Sequence, residues 1–384
     1  MLSSSLPMGQ CHFVIDTVFS GRSWGGFRVT ENLSLDEVKV LARTMTIKTM
    51  LAGIPMGGAK GGVSVSGMQY DRGELLRLVS KTVGPYLKGH RYFVGTDLGF
   101  TESDANCLYE CSGSKMKVFS GKMGVGEACA TGIAASVEYL QSNDICRFQK
   151  RTIALEGFGR IGSSTAQLLS SKGFCIVAIS NLAGTLYDAR GLDIGELVSI
   201  KSGTPEAILS TYSKDHHSAV VLPREALLSI ESEILIPGAR ALVIDEKEAE
   251  QVKARVVCPV SNAPVTLLGE EKLAKRGIVS VPDIVSNSGG LIASFAQHLG
   301  ANTTQTRTII SDIITHNLDY LFTNLPVKEV PKKIAAAAAL ERLEKIKKSE
   351  RIGMLKFLSP WIRTLGLHAL LYGFKEYLGL KMGG

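Results

Sequence analysis

The chain has 384 residues, of which 45% are apolar and 21% charged, a balance that excludes a disordered chain or a membrane-embedded one. At this length two domains are expected, because one hydrophobic core rarely grows beyond roughly 250–300 residues. The formal charge of +7 suits anionic ligands but does not by itself indicate nucleic acid. No run is long enough to span a membrane, and the first ten residues lack a signal-peptide pattern, so we expect a cytoplasmic protein.

The seven cysteines are odd in number and include no CxxC pair. Cys107 and Cys111 stand one helical turn apart, which could suggest two metal ligands, but no His or Cys follows them at a zinc-finger spacing. We therefore expect reduced, mostly buried thiols and no metal site.

A strand followed by a helix is predicted in the first third of the chain. Residues 11–19 are apolar and β-branched, and Ser34 with Glu37 forms a capping-box pattern at the start of a helix. The apolar stripe predicted for that helix consists of Val38, Leu41 and Met45. Lys48 is the next position on the stripe, where a lysine either snorkels or aims its charge into a cleft. A second lysine, Lys60, follows twelve residues later, which favours the interpretation that Lys48 aims its charge into a cleft.

Lys60 stands between two pairs of glycines in the segment IPMGGAKGGVS. Glycine is costly to order, so we expect these glycines to let a substrate approach the ammonium and to offer backbone N–H groups to anions. Asp97 follows an apolar run and could exchange a proton with Lys60 or with a substrate amine, or could simply form a turn. Lys60 could instead bind phosphate, but GGAKGG does not have the P-loop spacing.

A strand, a glycine turn, a helix and a second strand are predicted in succession over residues 152–181. The turn GFGRIG permits a close backbone approach, and the helix after it offers free N–H groups to a pyrophosphate. The pattern is typical of a dinucleotide site. The candidate cofactor residues are Gly157, Phe158, Gly159, Arg160, Ile161, Gly162 and, at the end of the second strand, Asn181.

The following segments continue the alternation of strands and helices, which predicts a doubly wound parallel sheet. The strand segments are SAVVL, SEILIPGA, ALVI, RVVCPV and GIVSVPDIV. Asn262 and Asn287 each follow one of them, at the carboxyl edge where such sheets bind ligands, although each could be a plain turn. From about Asp312 the chain reads as helical to its end. The basic stretch ERLEKIKKSER could contact RNA or an acidic partner, or be a solvated helix face.

Two lysines, a carboxylate and a dinucleotide together fit one reaction. A hydride leaves the α-carbon of an amino acid for a nicotinamide, and the resulting imine is hydrolysed to a 2-oxo acid and ammonia. The site needs a cation for the α-carboxylate, a base for water, and an acid or base for the amine.

Eight sequence blocks occur in the order GGFR, MTIK, IPMGGAKGG, GTDLGF, ATG, GFGRIG, SNAPVT and PDIVSNSGG. In order and spacing they resemble the glutamate/leucine/phenylalanine/valine dehydrogenase family. The resemblance implies an α/β substrate-binding and oligomerisation domain at residues 1–133 plus 318–384, and a Rossmann dinucleotide-binding domain at residues 134–317, with a cleft between them. It also implies NAD or NADP as cofactor, and a cytoplasmic homo-oligomer that binds neither nucleic acid nor membrane.

The resemblance also assigns roles to individual residues. Lys60 resembles the catalytic lysine, Asp97 the carboxylate that handles protons, and Lys48, beside the backbone of Gly25 and Gly26, the lysine that holds the α-carboxylate. Thr131 and Asn287 match residues close to the nicotinamide, and Asn262, from its place after a strand, is a further candidate for binding the cofactor. The residues that match the substrate side-chain pocket are Leu291 and Ser294.

Three departures from the family pattern bear on specificity. Trp24 stands where the glutamate enzymes carry a lysine for the side-chain carboxylate, which favours an apolar or aromatic substrate. IPMGGAKGG, LYDARGLD and Ser294 are closer to the glutamate branch. Asn181 replaces the Asp or Glu of NAD-preferring sites, so NADP or dual use is open, although no arginine follows immediately. The segment SGKMGVGEACATG is shorter than its glutamate-branch counterpart and carries Glu127 where that branch has an arginine.

The leading hypothesis is therefore an NAD(P)-dependent L-amino-acid dehydrogenase, with glutamate as the alternative substrate. A catalytically silent sensor or scaffold is a second class, against which the retention of Lys48, Lys60 and Asp97 argues. Nucleic-acid binding by the basic tail is a third, which the acids interspersed among its bases disfavour.

Overall fold

A computed structural model describes residues 1–19, 21–65, 70–118, 121–200, 203–323, 330–348, 361 and 363–365. The chain divides into two compact units. The first contains Met1–Gly121, Gln297–Gly300 and Ala339–Gly384, and the second contains Lys122–Ala296 and Ala301–Ala338. None of the helices in the described ranges combines the length and the apolar character needed to span a bilayer.

The first unit is built on a five-stranded mixed sheet. Its elements are β1 (Leu2–Leu6), β2 (Gly9–Ile15), β3 (Ser23–Thr30), α1 (Leu35–Leu51), β4 (Gly57–Val65), α2 (Arg72–Lys88), β5 (Tyr92–Gly95) and α3 (Glu102–Cys111). The strand order is β1-β2-β4-β3-β5. Strand β4 runs parallel to β3 and antiparallel to β2, and β3 runs parallel to β5.

Helices cover both faces of this sheet. Ala59 and Val63 of β4 belong to the larger apolar cluster, which includes residues of α2 and α3. Val14 of β2 packs with Val38 and Ala42 of α1 in a smaller cluster. Successive side chains of a strand point to opposite faces. Lys60 pairs with Val14 across the β2–β4 ladder, so its side chain lies on the face covered by α1.

Helix α1 begins as the sequence predicts, because Ser34 is its N-cap and its side chain accepts a hydrogen bond from the Glu37 backbone. The predicted apolar stripe is displaced by about one residue. The positions of α1 that are buried are Val38, Ala42, Thr46, Lys48, Thr49, Met50 and Leu51. Leu41 and Met45 are half-buried. Small residues replace the larger predicted ones on this face because β4 approaches α1 closely.

The second unit carries a seven-stranded sheet. Its strands are β6 (Thr152–Glu156), β7 (Cys175–Ser180), β8 (Thr185–Tyr187), β9 (Val220–Leu222), β10 (Ile234–Ile236), β11 (Val256–Val257) and β12 (Val279–Ser280). The helices from here on are α4 (Val125–Ser142), α5 (Arg160–Ser171), α6 (Ile194–Ile200), α7 (Pro205–Asp215), α8 (Glu246–Gln251), α9 (Leu267–Lys275), α10 (Asp283–Ser286), α11 (Gly289–His298), α12 (Thr303–Thr323) and α13 (Pro331–Lys348). A 3₁₀ helix spans Arg224–Ser229.

The strand order β12-β11-β10-β6-β7-β8-β9 is that of a doubly wound sheet, as predicted. Two local predictions were wrong. Strand β8 lies antiparallel to both of its neighbours, because a short turn joins it to β7 and such a turn can connect only antiparallel strands. The segment ALVI forms only an isolated bridge, between Ile244 and Val265.

The predicted C-terminal helices fall partly outside the described residues. The poly-alanine run lies within α13, as the helical prediction requires. The end of the basic stretch and most of the last predicted helix are not described. Trp361 is fully buried in the first unit, and its indole N–H donates to the carbonyl oxygen of Ala52 at 2.9 Å.

Candidate active site

An ion pair between Lys60 of β4 and Asp97, just after β5, lies at the centre of the candidate site. The ammonium contacts Oδ2 of Asp97, and the two side chains are only 9% and 12% exposed. Strand β3 lies between β4 and β5, and a Cβ on its Gly26 would stand 3.0 Å from Asp97 Cβ and 2.8 Å from the Thr96 carbonyl oxygen. A glycine at this position therefore leaves the room in which the Asp97 side chain lies.

Arg28 adds a second cation to this pair. Its Nη2 lies 3.4 Å from Oδ1 of Asp97, while its Nη1 donates to Glu37 of α1 at 2.7 Å. Burial alone would raise the pKa of Asp97, but the charges of Lys60 and Arg28 outweigh it and hold that pKa below its usual value. The backbone N–H of Leu98 also donates to Oδ1, at 2.7 Å. Asp97 is thus an ionised carboxylate at neutral pH.

The glycines around Lys60 have a different role from the one expected. A Cβ on Gly58 would stand 2.1 Å from the backbone N of Thr46, and one on Gly62 would stand 2.3 Å from Leu33 Cδ2. Equivalent atoms on Gly57 and Gly61 would meet protein atoms at 1.8 and 2.5 Å. The expectation that these glycines open a path to Lys60 was wrong. They lie within a strand and let α1 and the neighbouring segments pack directly against it.

Trp24 lies on β3 at two-residue spacing from Gly26 and Arg28, so the three residues share the face of Lys60. The Trp24 residue is 5% exposed, and its Nε1 would lie 3.4 Å from a Cβ on Gly95. The Gly25 carbonyl oxygen accepts a hydrogen bond from the buried Tyr92 hydroxyl at 3.0 Å, which fixes the backbone beside Trp24. Burial raises the pKa of Tyr92 well above its usual value, so the hydroxyl remains a donor.

Lys48 occupies the last turn of α1, where it is 8% exposed. A lysine so deeply buried within a packed helix face has a functional or pairing reason to be there, because burying an ammonium is costly. Its role toward a substrate carboxylate stays a prediction.

The glycine turn of the second unit fits a dinucleotide. Gly157 has φ +89°, a conformation that favours glycine, and a Cβ on Gly162 would stand 1.9 Å from the Gly157 carbonyl oxygen. Gly159 is the N-cap of α5 with no side-chain cap, and nothing lies within 4 Å of its Cβ position. The turn therefore leaves the first N–H groups of α5 accessible to a pyrophosphate. Phe158 is buried, Ile161 half-buried and Arg160 exposed.

The two asparagine turns at the carboxyl edge meet each other. Asn287 Nδ2 donates to the Ser261 carbonyl oxygen at 2.8 Å and to Asn262 Oδ1 at 3.1 Å. Leu291 and Ser294 follow on α11, both half-buried. Thr131 lies within α4, where its hydroxyl donates to the Glu127 carbonyl oxygen at 2.8 Å.

A buried carboxylate that the sequence analysis missed holds these turns. Asp283, 2% exposed, accepts a hydrogen bond from the Ala263 N–H at 2.8 Å and pairs with Lys332 of α13 at 2.6 Å. Ala263 has φ +46°, an uncommon conformation for a residue with a side chain. Asp283 thereby fixes the turn that carries Asn262. The signal was in the sequence, since Asp283 stands directly before the second asparagine turn, but its partner Lys332 is 49 residues away.

Metal-ligand clusters are not a feature of the described ranges, where no three His, Cys, Asp or Glu side chains are arranged to hold an ion. The Cys107 and Cys111 sulfurs are 3.9 Å apart on α3, and all seven cysteines are free thiols.

The described geometry is that of a dinucleotide-dependent enzyme with a buried lysine–carboxylate pair. Family models identify the class more closely. Residues 12–112 match the dimerisation domain of the Glu/Leu/Phe/Val dehydrogenases, and residues 121–351 match the Glutamate/Leucine/Phenylalanine/Valine dehydrogenase model. The chain belongs to this family, as the sequence blocks predict, and is an NAD(P)-dependent amino-acid dehydrogenase.

Individual relatives agree with this assignment. The chain is 31% identical over 300 residues to a glutamate dehydrogenase of Thermotoga maritima, covering 72% of this chain and 69% of that one. It is 30% identical over 298 residues to an NADP-specific glutamate dehydrogenase of Synechocystis, covering 72% and 68%.

Two solved structures share the fold at lower identity. The hetero-hexameric glutamate dehydrogenase of Thermus thermophilus, in a Leu-bound form, has a TM-score of 0.76 at 23% identity, covering 91% of this chain and 89% of that one. The L-tryptophan dehydrogenase of Nostoc punctiforme has a TM-score of 0.68 at 21% identity, covering 91% and 96%.

Proposed function

We propose that this enzyme catalyses the reversible oxidative deamination of an L-amino acid with an apolar or aromatic side chain, giving a 2-oxo acid and ammonia. The observation that carries the choice of side chain is Trp24, buried on the face of β3 that also holds Gly26 beside Asp97.

The physical reason is charge. An indole offers one N–H donor and no positive charge, so a substrate carboxylate buried against it would be left without a counter-ion. Burial of an unpaired ionised group costs several kcal/mol or more. An apolar or aromatic substrate side chain has no such cost and gains from contact with the indole.

The buried pair supports the chemical roles. In the direction of deamination, Asp97 would take a proton from the substrate amine, and Lys60, in its neutral amine form, would serve as the base that activates water for attack on the imine carbon. Lys48, with the backbone N–H groups of Gly25 and Gly26, would hold the α-carboxylate. The fixed carboxylate and the positioned acid–base groups would orient the α-carbon for hydride loss.

The residues of the second unit would bind the cofactor, which accepts the hydride at its nicotinamide ring. The N–H groups at the start of α5, freed by Gly157, Gly159 and Gly162, would take the pyrophosphate, with Phe158, Arg160 and Ile161 completing the turn. Thr131, Asn262 and Asn287 would lie at the nicotinamide. Leu291 and Ser294 would line the substrate side-chain pocket.

Glutamate is the alternative substrate. The relatives reported above are named glutamate dehydrogenases, IPMGGAKGG and LYDARGLD resemble that branch, and Ser294 could donate to a carboxylate. A silent sensor or scaffold is less well supported, because a protein without chemistry has no need to keep Lys60 and Asp97 paired and buried.

The test is a panel of amino-acid substrates, with turnover measured as the absorbance of the reduced nicotinamide. Leucine, valine, phenylalanine, tryptophan and glutamate would be assayed with NAD and NADP, with Lys60→Ala as the inactive control. We expect an apolar or aromatic amino acid to give the highest kcat/KM. Trp24→Lys should raise the ratio of kcat/KM for glutamate to kcat/KM for the best apolar or aromatic amino acid by about 100-fold, equivalent to about 3 kcal/mol. The matched Trp24→Phe variant should leave this ratio unchanged.

Three outcomes separate the alternatives. A wild-type preference for glutamate would overturn the side-chain proposal and leave the dehydrogenase standing. Loss of the preference for apolar or aromatic amino acids in Trp24→Lys, but not in Trp24→Phe, would support the side-chain proposal. Absence of turnover with every amino acid and both cofactors would favour the sensor or scaffold.

The family resemblance also supports a cytoplasmic homo-oligomer and domains at residues 1–133 plus 318–384 and 134–317. Light scattering of the purified protein would give the subunit number. Limited proteolysis would test whether the chain is cut into fragments that correspond to these two domains.

A further inference from the structure

Arg224, which the sequence places far from the glycine turn, lies at the carboxyl edge of the second unit's sheet. It follows β9 and opens the 3₁₀ helix. Its carbonyl oxygen accepts a hydrogen bond from the Thr185 hydroxyl at 3.0 Å, and Thr185 pairs in register with Ser180, the last residue of β7. The backbone of Arg224 is therefore anchored close to where β7 ends.

The guanidinium reaches toward the end of β6. Its Nη2 lies 3.9 Å from Oε1 of Glu156, and Glu156 pairs in register with Ser180 and directly precedes Gly157. The side chain of Arg224 therefore lies near the ends of the two strands that flank the glycine turn. In a dinucleotide fold these strand ends meet the adenosine ribose.

The local charges leave one cation in excess. Glu156 is 3% exposed, and its two oxygens already accept from Arg240 Nε at 2.8 Å and from the Ala239 N–H at 3.2 Å. One carboxylate therefore faces two guanidinium groups, and Arg240 takes the shorter contact. The buried Nε of Arg224 has no hydrogen-bond partner among the described residues, although 20% of its side chain is exposed.

Asn181, at the ribose position, does not compete for an anion. Its Nδ2 donates to the Pro205 carbonyl oxygen at 2.9 Å, and its Oδ1 accepts from the Ala183 N–H at 2.8 Å. The side chain thus closes a turn. It supplies no negative charge that would repel a phosphate, in contrast to the Asp or Glu of an NAD site.

We propose that Arg224 binds the 2′-phosphate of NADP and makes this enzyme prefer NADP to NAD. This inference takes from the proposed function only that the enzyme binds a dinucleotide, and it holds for any amino-acid substrate. A guanidinium matches a phosphate in charge and in its fork of donors, and the orphaned Nε supplies a donor for it. The competing explanation is that Arg224 serves only as a second counter-ion of Glu156.

Calorimetric binding of adenosine fragments to the full chain tests the proposal without turnover. The probes are adenosine 2′,5′-bisphosphate, adenosine 3′,5′-bisphosphate, which carries the same charge, and 5′-AMP. We expect the 2′,5′-bisphosphate to bind at least 10-fold more tightly than either of the others. Arg224→Gln should abolish this difference, and Arg224→Lys should keep part of it. Arg190→Gln, which removes an exposed arginine of the same unit, should keep all of it.

Equal binding of the three probes by the wild-type protein would overturn the proposal, as would an Arg224→Gln variant that keeps the preference. If Arg224→Gln fails to fold, the wild-type comparison and Arg224→Lys decide. A protein with the 2′-phosphate preference and no amino-acid turnover would confirm this inference and contradict the proposed function, so the two failures are distinguishable.

Discussion

Lys60 and Asp97 form an ion pair across an intervening strand, at the point where that strand carries Gly26. If Asp97 is the proton acceptor for the amine, Asp97→Asn keeps the shape of the pair and removes the base. We expect kcat to fall by about 10²–10⁴-fold, the usual contribution of a general acid or base, with a smaller change in KM. Steady-state kinetics with the best amino acid of the panel measure both.

A matched control is available in the same unit. Asp104 of α3 pairs with Arg72 of α2 at 2.8 Å. Burial raises the pKa of Asp104, but its contacts with Arg72 and Thr101 outweigh burial and lower that pKa to about 2. Asp104→Asn should therefore lower stability and leave kcat within a few-fold. Retention of full kcat by Asp97→Asn would exclude Asp97 from the chemistry.

The sequence could identify the residues of this pair but not their surroundings. Lys60 and Asp97 stand in recognisable blocks, whereas the contact of Arg28 with Asp97 joins residues 69 positions apart. The role of the glycines was misjudged because a glycine-rich run looks alike whether it lines a cavity or packs a strand against a helix. The structure distinguishes the two, because a Cβ on Gly58 would stand 2.1 Å from the backbone N of Thr46.

The same limit applies to the second unit. The GFGRIG turn and the alternation of strands predicted a doubly wound sheet, because they depend on local pattern. The neighbours of Asn181 depend on the path of the chain. No arginine follows it immediately in the sequence, yet the chain after β9 brings Arg224 to the same edge, next to Glu156. Short strands such as β8, three residues long, carry too little periodicity to be predicted.

Arg28 should set the pH dependence of the reaction. Together with Lys60, it holds the pKa of Asp97 below its usual value, so the carboxylate stays ionised down to acidic pH and is lost only as pH falls through that lowered pKa. Arg28→Gln removes one of the two cations, and the pKa should rise. We expect the acidic limb of the kcat/KM profile to move to higher pH.

Arg43→Gln is the control for this shift. Arg43 is exposed on α1 and contacts Asp16 at 3.3 Å, so its removal changes the net charge of the unit by the same amount. Its pH profile should match that of the wild type. An unchanged acidic limb in Arg28→Gln would mean that the limb reports a group other than Asp97.

Gly58 should be intolerant of any side chain. A Cβ there would stand 2.1 Å from the Thr46 N and 2.5 Å from the Ala42 carbonyl oxygen, both of them backbone atoms of α1 that cannot rotate away. We expect Gly58→Ala to lower the free energy of unfolding by about 3 kcal/mol or more, through overpacking. Gly84→Ala in α2 is the matched control, because its Cβ would meet Ser112 Oγ at an ordinary 3.4 Å and should change stability by less than about 1 kcal/mol. Urea unfolding of both variants measures the difference, and equal midpoints would show that α1 can move away from β4.

Glu270 should make the stability of the second unit fall as pH rises. Burial raises its pKa to about 7, against the lowering effects of Ser280 and Lys332, while Asp283 adds to the rise. Because the folded protein holds this proton more tightly than the unfolded chain, stability is full below the ordinary pKa of 4.5 and declines as pH rises toward 7. A shift of this size corresponds to about 3 kcal/mol. Glu270→Gln keeps the neutral shape at every pH, so we expect it to lose about that much less stability than the wild type between pH 5 and pH 8.

Denaturant unfolding at both pH values tests the effect, with the neighbouring Glu271→Gln as control. Glu271 is 37% exposed and pairs with Lys333 at 3.0 Å, so its removal should leave the pH dependence close to that of the wild type. Asp283 fixes the Ala263 turn beside Asn262, which belongs to the proposed nicotinamide site. Ionisation of Glu270 would therefore place a second negative charge near Asp283. Equal pH dependence in the wild type and Glu270→Gln would show that Glu270 ionises in the folded protein without cost to stability.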